Sequence, residues 1–349
     1  MTDYKQYLAK ERIPTDVPED VVDENGRFYH GTYKQEFENM NFLRADRPRG
    51  NPNFFNKSIF TTWEAAEVVF DDIAILTAVS PMFGGMVGVC LTLLFDRKEG
   101  KKYAWMGLSP KPSFAPNLLR KNVTEGKNPL NHVKFVNEYD KDKAYLSGKG
   151  RSVAGSISYD LEFTRASLPS NVLIPFHKNC TLYSQKDIWS VTGSLKWKGK
   201  VYTANEGTFA TIDDHRGFYP FHMHYDWVAT MGRLEYDGAL RPFGFNLTRN
   251  QSVDQDRYNE NLIFLDGKTS RLPPVVFEHV TETKWHITDE YGMVDVYYHI
   301  QDRHLTKIPL IMDYSIFFGT LEGYLLDEDG NKYVLDGMCG MGEDKSTNM

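Results

Sequence analysis

Apolar and polar residues alternate in short runs along most of the chain, and a period of two is the pattern of half-buried β-strands. Turn-forming residues separate the runs. The clearest hairpin signals are Gly199, Asp237-Gly238 and Asp266-Gly267. Turns recur after roughly ten residues, a spacing typical of sandwiches and barrels. No stretch has a convincing amphipathic helical pattern, so the pattern predicts an all-β protein.

Two segments allow more than one interpretation. Residues 60–70 fit either a helix or a strand, and the β-branched and aromatic residues that bracket them favour a strand. Residues 73–95 form the most apolar run, but Pro81 and Gly84-Gly85 interrupt it. A membrane helix would need ~20 unbroken apolar residues, so we expect two strands joined by a glycine-rich turn and no integral membrane segment.

At 349 residues the chain is long enough for two antiparallel β-barrel or sandwich domains packed side by side. We expect a polar N-terminal arm at residues 1–30, a first β domain at residues 31–175 and a second at residues 176–349. The boundary is placed in a proline- and lysine-rich region, residues 169–186. No internal repeat is clear, although two barrels related by duplication remain an alternative.

The composition is that of a globular protein, with 41% hydrophobic and 25% charged residues. Aromatic residues reach 14%, and such residues favour strands and line apolar cavities. The net charge of −7 argues against nucleic acid as the main partner, because phosphate binding needs a basic face. The composition therefore favours a small hydrophobic molecule as ligand and leaves the oligomeric state open.

Three cysteines occur, and none belongs to a C-x-x-C pair, so a zinc ribbon or dithiol motif is not expected. Such a sparse count fits buried thiols in a reducing cytoplasm. Residues 1–23 lack the apolar core of a signal peptide, which also predicts a cytoplasmic protein. No P-loop or Rossmann glycine pattern is present, so we predict no cofactor.

The strongest chemical signal lies in residues 213–227, which hold three aspartates, three histidines and an arginine. The segment is predicted to open as a turn and to continue as a strand from Phe221. A period of two places the polar side chains on one face and the apolar ones on the other. The polar face comprises His222, His224 and Asp226, and the apolar face comprises Phe221, Met223, Tyr225 and Trp227.

The polar face has three interpretations. His222, His224 and Asp226 could act as general acid and base, since histidine titrates near neutral pH and burial raises the pKa of a carboxyl. They could hold a metal ion if their side chains converge. They could also be structural and bond to neighbouring strands. We predict the acid–base role and no metal.

Other polar residues are candidates for the same site. Asp213, Asp214 and Arg216 lie in the expected turn, where an Asp–Arg pair either pins a loop or carries function. A second group of amides and carboxyls needs buried partners if it points inward, and could then bind a ligand or only specify the fold. This group consists of Asn246, Asn259, Glu260, Asn261 and Glu278, and we add Tyr219 to the ligand-binding set.

Two motifs carry a family resemblance: Asp-x-x-Arg-Gly-Phe-Tyr-Pro at residues 213–220 and Gly-Phe-Asn-Leu at residues 244–247. With further matches after about residue 40, the chain resembles the bacterial family called domain of unknown function 2804. That family is distantly similar to lipocalin-like proteins of two β-barrels, such as carotenoid 1,2-hydratases. The resemblance implies acid–base chemistry on a hydrophobic substrate in a barrel, and it assigns no catalytic residue.

The leading hypothesis is a cofactor-independent hydratase, lyase, isomerase or cyclase acting on a terpenoid, steroid or lipid. Asp214 or Asp226 would be the acid, His222 or His224 the base, and Arg216 an orienting charge. The aromatic wall that stabilises a cation would be Tyr225 or Trp227. Because Trp227 and His222 lie on opposite strand faces, both line one pocket only if a bulge intervenes.

Two other functions remain open. A non-enzymatic carrier or sensor of a lipophilic ligand would use the same cavity without a titrating pair. It predicts that the aromatic face of residues 221–227 points inward. An interaction or structural role would instead use the cleft between domains to bind a partner chain.

Overall fold

The computed structural model describes residue 7 and residues 12–348. Within these ranges the chain folds into two antiparallel sheets, one a nearly closed barrel and the other a half-barrel. The predicted fold class, an all-β protein of two antiparallel β-barrel or sandwich units packed side by side, is confirmed.

The described part of the first sheet contains fourteen strands. These are β1 (Gly31–Tyr33), β2 (Thr61–Val69), β3 (Ile73–Met82), β4 (Val87–Asp96), β5 (Lys101–Pro110), β6 (Lys121–Lys127), β7 (Asn131–Glu138), β8 (Lys143–Ser152), β9 (Gly155–Arg165), β10 (Ser170–Pro175), β11 (Thr181–Lys186), β12 (Ile188–Trp197), β13 (Lys200–Thr203) and β14 (Phe209–Phe218).

The described part of the second sheet contains nine strands. These are β15 (His222–Tyr236), β16 (Ala239–Arg249), β17 (Leu262–Leu265), β18 (Lys268–Arg271), β19 (Val275–Thr281), β20 (Lys284–Asp289), β21 (Val294–Ile308), β22 (Met312–Leu326) and β23 (Lys332–Asn348). The described helices are short: α1 (Asn56–Ile59) and the 3-10 turns Phe42–Arg44, Pro48–Gly50, Asn53–Phe55, Phe83–Gly85 and Tyr139–Lys141.

The first sheet curves into a barrel in the order β5-β4-β3-β2-β14-β12-β9-β8-β7-β6. Its two ends approach one another where Ser113 pairs with Glu125 and the Lys127 backbone N–H donates to Ser109 Oγ at 2.8 Å. From the free side of β14, strands β11, β10 and β1 continue the sheet as a branch. Inward-facing aromatic and aliphatic side chains fill the barrel.

The second sheet runs β18-β17-β16-β15-β23-β22-β21-β20-β19 and has its own apolar core. A third apolar cluster joins the two sheets, and we call the contact between them the seam. There Phe95 of β4 stacks on Phe318 of β22 with ring centroids 5.3 Å apart. The seam matters for function because β14 and β15 both face it.

Most strand predictions are confirmed, including β2 at residues 60–70 and the pair β3 and β4 within residues 73–95. The turn predicted at residues 213–220 is wrong, because β14 continues to Phe218 and is buried throughout. One face of β14 points into the barrel and the other into the seam. The charges on both faces, which resemble a turn in the sequence, are paired inside the protein.

The sheets divide at residues 219–221, so the boundary expected at residues 175 and 176 is placed too early. It falls between β10 and β11, which pair with each other as a hairpin. The prolines and lysines of this region resemble a linker but form a tight loop, in which the Phe176 N–H donates to the Cys180 carbonyl at 2.8 Å.

The N-terminal arm is packed against both sheets over its described residues. Val21 and Val22 are buried in the first core. The Arg12 guanidinium donates to the carbonyls of Asn259 at 2.6 Å and Asn261 at 2.7 Å, next to the second sheet. No helix in the described ranges has the length and apolar character needed to cross a membrane.

Candidate functional site

A cleft opens in the seam, between β2, β11 and β14 of the first sheet and β15, β16 and β23 of the second. Its cavity volume is about 30 Å³, and all the space between its atoms, open solvent at the mouth included, is about 440 Å³. It combines aromatic walls with buried ionisable groups. The lining residues are Trp63, Phe176, Leu182, Lys186, Asp213, His215, Tyr219, Met223, Tyr225, Trp227, Thr248, Asn250, Gln251, Glu260 and Glu343.

The floor of the cleft is a chain of charged side chains that we call the floor cluster: Lys186, Asp213, His215 and Glu260. The period of two along β14 puts Asp213 and His215 on its seam face. Lys186 Nζ lies 2.6 Å from Asp213 Oδ1, and His215 Nδ1 contacts the same carboxylate oxygen. His215 Nε2 lies 3.5 Å from Glu260 Oε2, which also accepts a hydrogen bond from Ser184 Oγ.

The floor cluster is nearly sealed from bulk water, so its members determine one another's charge. Burial alone would lower the pKa of His215, but Asp213 beside it raises that pKa above the usual histidine value. Burial would raise the pKa of Glu260, yet His215 and Lys186 hold it below the usual range. Imidazolium and carboxylates are therefore the favoured forms, and an acid and a base lie side by side.

A second ionisable group lies on the β23 side of the cleft. Tyr225 Oη donates to Glu343 Oε2 at 2.6 Å, and Tyr314 donates to the other oxygen of Glu343. Burial raises the pKa of Glu343 and lowers that of Lys345. Lys345 Nζ lies over the Trp63 ring, 4.9 Å from its centroid. Burial thus disfavours the charged form of both groups.

The aromatic walls hold the floor cluster in position. Trp63 stacks on the His215 ring at 4.6 Å and on Tyr219 at 5.6 Å. Trp227 Nε1 donates to Asn246 Oδ1 at 2.7 Å, which fixes its indole. The Tyr219 hydroxyl is buried and has no hydrogen-bond partner among the described residues. A buried, unpaired hydroxyl beside a cleft is a ready contact for a bound molecule.

Replacing Tyr219 with phenylalanine should leave the empty protein as stable as before, or more stable by about 1–2 kcal/mol, because an unpaired buried hydroxyl costs free energy. Ligand binding should weaken. Urea unfolding of the empty protein and ligand titration measure the two effects. The matched control is Tyr225→Phe, which loses the bond to Glu343 and should be destabilised. A Tyr219→Phe protein that is clearly destabilised would mean that the hydroxyl already has a partner.

Asp214 and Arg216, two predicted catalytic residues, lie on the opposite face of β14 inside the barrel. Arg216 donates to both carboxylate oxygens of Asp214, at 2.9 and 3.2 Å. Its remaining amino group donates to the carbonyls of Ala115 at 2.8 Å and Pro116 at 3.2 Å. The pair therefore ties a proline-rich loop to the barrel and does not line the cleft.

Glu64 shares this interior with Asp214 and is 2% exposed. Its Oε1 accepts from Asn137 Nδ2 at 2.6 Å. Burial and the neighbouring Asp214 raise the pKa of Glu64 to about 7. The ionised form of Glu64 is thus destabilised in the folded protein.

We expect Glu64→Gln to change how stability depends on pH. Because the folded pKa of Glu64 is raised from 4.5 to about 7, the wild type should lose stability as the pH rises through that window. The glutamine variant should gain up to about 3 kcal/mol over the wild type at the upper end. Urea unfolding at several pH values tests this. Glu38→Gln, an exposed control, should show no such gain, and an equal gain in both would contradict the assignment to Glu64.

The polar face of β15 lies outside the cleft. His222 is exposed, and its Nδ1 lies 2.7 Å from Asn348 Oδ1. His224 contacts Asp226 at the mouth of the second half-barrel. The opposite face, with Met223, Tyr225 and Trp227, lines the cleft. No bulge separates the two sets in the pairing of β15 with β23. The structure therefore does not bring the predicted histidines and aromatic wall together.

The predicted amide and carboxyl group divides in the structure. Glu260 reaches the floor cluster, and Asn246 contacts the cleft through Trp227. Asn261 accepts from the Thr248 N–H at 2.7 Å and donates to the Pro273 carbonyl, so it is a brace for the loop. Asn259 binds the Gln255 carbonyl at 2.8 Å. The side chain of Glu278 faces solvent on β19.

A family model for a domain of unknown function, DUF2804, matches residues 12–348. The chain belongs to this family. The resemblance carried by the sequence motifs is thereby confirmed. No curated protein matches the sequence.

Two solved structures align with this DUF2804 protein over most of its length. Kievitone hydratase from Nectria haematococca aligns with 9% identity and a TM-score of 0.49, over 82% of this chain and 88% of its own. A Nitrosomonas europaea protein assigned as an AttH aligns with 11% identity and a TM-score of 0.46, over 84% of this chain and 93% of its own. At such low identity the two alignments identify no functional residue, so the chemistry of the DUF2804 cleft is inferred from its own side chains.

Sequence reasoning missed the residues at the centre of the DUF2804 cleft: Lys186, His215, Glu343 and Trp63. His215 lies within residues 213–227, but this part was predicted to be a turn. The prediction therefore did not place the His215 side chain on either face of a strand. A strand interpretation would have placed Asp213 and His215 together. Lys186 and Glu343 carry no local signal, because pairing between distant strands brings them to the cleft.

Proposed function

We propose that this protein is a cytoplasmic, cofactor-independent enzyme that performs acid–base chemistry on a hydrophobic small molecule in the seam cleft. The observation that carries the proposal is the buried imidazole of His215, held between Asp213 and Glu260 under aromatic walls. Perturbed titratable groups in a cleft cluster at functional sites, and the floor cluster is such a group.

The geometry supports opposite roles for His215 and Glu260. His215 Nδ1 is occupied by Asp213, whereas Nε2 is 3.5 Å from Glu260 Oε2, too long for a strong hydrogen bond. Nε2–H is thus available to protonate a carbon or oxygen of the substrate. Glu260 is placed to remove a proton from an attacking water or from a neighbouring carbon. These two transfers support hydration, elimination or isomerisation.

Aromatic and carboxylate groups around the floor suit a substrate that becomes positive as it is protonated. Trp63, Tyr219, Tyr225 and Trp227 line the cleft. Aromatic rings attract cations, and Asp213 and Glu260 add negative charge. An apolar terpenoid, steroid or lipid with one double bond or hydroxyl group would meet both requirements.

Solvent isotope labelling tests the proposal. Protein purified from its host is extracted for bound lipophilic molecules, and each molecule is incubated with fresh protein in D₂O and in H₂¹⁸O. An acid–base enzyme should introduce deuterium or ¹⁸O into one of them, seen as a mass shift. Stoichiometric binding of an extracted molecule without any labelling would instead support the carrier, which the inward-facing Met223, Tyr225 and Trp227 also fit.

A further inference from the structure

A second group of histidines and carboxylates lies on the other face of β15, at the mouth of the second half-barrel. His224 and Asp226 come from β15, Asp344 from β23 and His279 from β19. His224, Asp226 and Asp344 each offer one possible ligand atom, and these three atoms lie within 4.8 Å of one another. We call these four residues the rim cluster.

Two imidazole nitrogens converge on one carboxylate in the rim cluster. His279 Nε2 lies 3.0 Å from Asp226 Oδ1, and His224 Nε2 lies 3.5 Å from Asp226 Oδ2. Ligand atoms around a tetrahedral zinc ion, each about 2.0 Å from the metal, are roughly 3.3 Å apart. The distance from each imidazole nitrogen to the Asp226 carboxylate is thus close to the separation between two ligands of one ion.

Neighbouring side chains orient both rings. His224 Nδ1 lies 3.0 Å from Ser346 Oγ, a contact that limits rotation of the ring. The His279 ring stacks on Trp285 with a centroid distance of 4.4 Å and an interplanar angle of 3°. Metal-binding histidines are usually held by such partners on the side away from the ion.

The charge of the rim cluster also calls for a cation. Asp226 and Asp344 lie close enough to interact, and the ion pairs that the described residues form with them come from histidines alone. Among the described residues, no lysine or arginine forms an ion pair with either carboxylate.

We propose that His224, Asp226, His279 and Asp344 form a binding site for a divalent transition metal of the zinc type. Two imidazoles with two carboxylates favour zinc or its neighbours over calcium and magnesium, which prefer oxygen ligands alone. This site is separate from the floor cluster, because the two lie on opposite faces of β15.

The location gives the metal a structural role. Strand β19 is the last strand of the second sheet, and four strands separate it from β15 in the pairing order. His279 nevertheless contacts Asp226 across the open mouth. An ion held by both would tie the free edge of the half-barrel to its middle strands and cover the apolar core that includes Val228 and Trp285.

Calorimetric titration of metal-free, full-length protein with Zn²⁺ tests the proposal. We expect one tight site in the wild type, and at least tenfold weaker binding in His224→Gln and in His279→Gln. His286→Gln is the matched control, since His286 lies outside the rim cluster, 2.8 Å from Asp295 and stacked on Tyr297. Its affinity should equal that of the wild type.

Two further measurements distinguish a preorganised metal site from non-specific binding of metal ions to the surface. Co²⁺ should give the strong visible absorption of a tetrahedral complex in the wild type and lose it in His224→Gln, a half-exposed position where misfolding is not expected. Zn²⁺ should raise the melting temperature of the wild type and of His286→Gln only. Equal zinc affinity in all variants, or no tight site in the wild type, would show that the rim cluster is a network of ion pairs and not a metal site.

Discussion

Replacing Arg216 with methionine is expected to lower the free energy of unfolding by about 3–5 kcal/mol, the usual cost of breaking a buried ion pair. Arg216 is 2% exposed and Asp214 1% exposed. Without the guanidinium, the Asp214 carboxyl would lose its buried partner inside the barrel beside Glu64. The carbonyls of Ala115 and Pro116 would also lose their donor. Urea unfolding measures the loss.

Two comparison variants make this expectation specific. Arg241→Met breaks a half-exposed contact with Asp266 and should leave the free energy of unfolding almost unchanged. The double variant Asp214→Leu with Arg216→Met removes both charges and should recover much of the stability lost in the single variant. If Arg216→Met unfolds like the wild type but stops turnover, the structural assignment is wrong and the catalytic role predicted from sequence returns.

The fold could be predicted from the sequence because strand alternation and turn residues are local signals. Asp237-Gly238 and Asp266-Gly267 close hairpins where the pattern predicts them. Strand β14 could not be predicted, because a strand that is covered on both faces does not alternate between apolar and polar residues. Its polar residues are stabilised by partners on β2, β11 and distant loops, which no local pattern reveals.

The candidate site was located only in part for the same reason. The alternation of residues 221–227 separates two faces as predicted, and the aromatic face lines the cleft. The titrating partners of that face come from β14 and β11, across the seam, and not from β15 itself. A single strand shows which side chains share a face, but it does not show what the opposing sheet places in front of them.

Replacing His215 with glutamine should reduce turnover of the substrate by about 10²–10⁴-fold, the range that a positioned general acid contributes. Binding of the ligand should persist, because the aromatic walls are unchanged. In the wild type, activity should fall as the pH rises through the raised pKa of His215, since the imidazolium is the proton donor. It should fall at acidic pH only below the usual carboxyl range, where Glu260 becomes protonated. Isotope labelling of the extracted ligand at a series of pH values measures the acidic and the alkaline limb of this pH profile.

The positioning role of Asp213 separates this mechanism from a purely structural cluster. Asp213→Asn removes the charge that raises the pKa of His215, so the alkaline limb should move to lower pH while labelling continues. His132→Gln is the matched control: it pairs with Glu125 at 2.8 Å, away from the cleft, and should change neither limb. Ligand loss and a lower melting temperature in His215→Gln, or an alkaline limb that Asp213→Asn leaves in place, would show that the floor cluster holds the seam together without transferring protons.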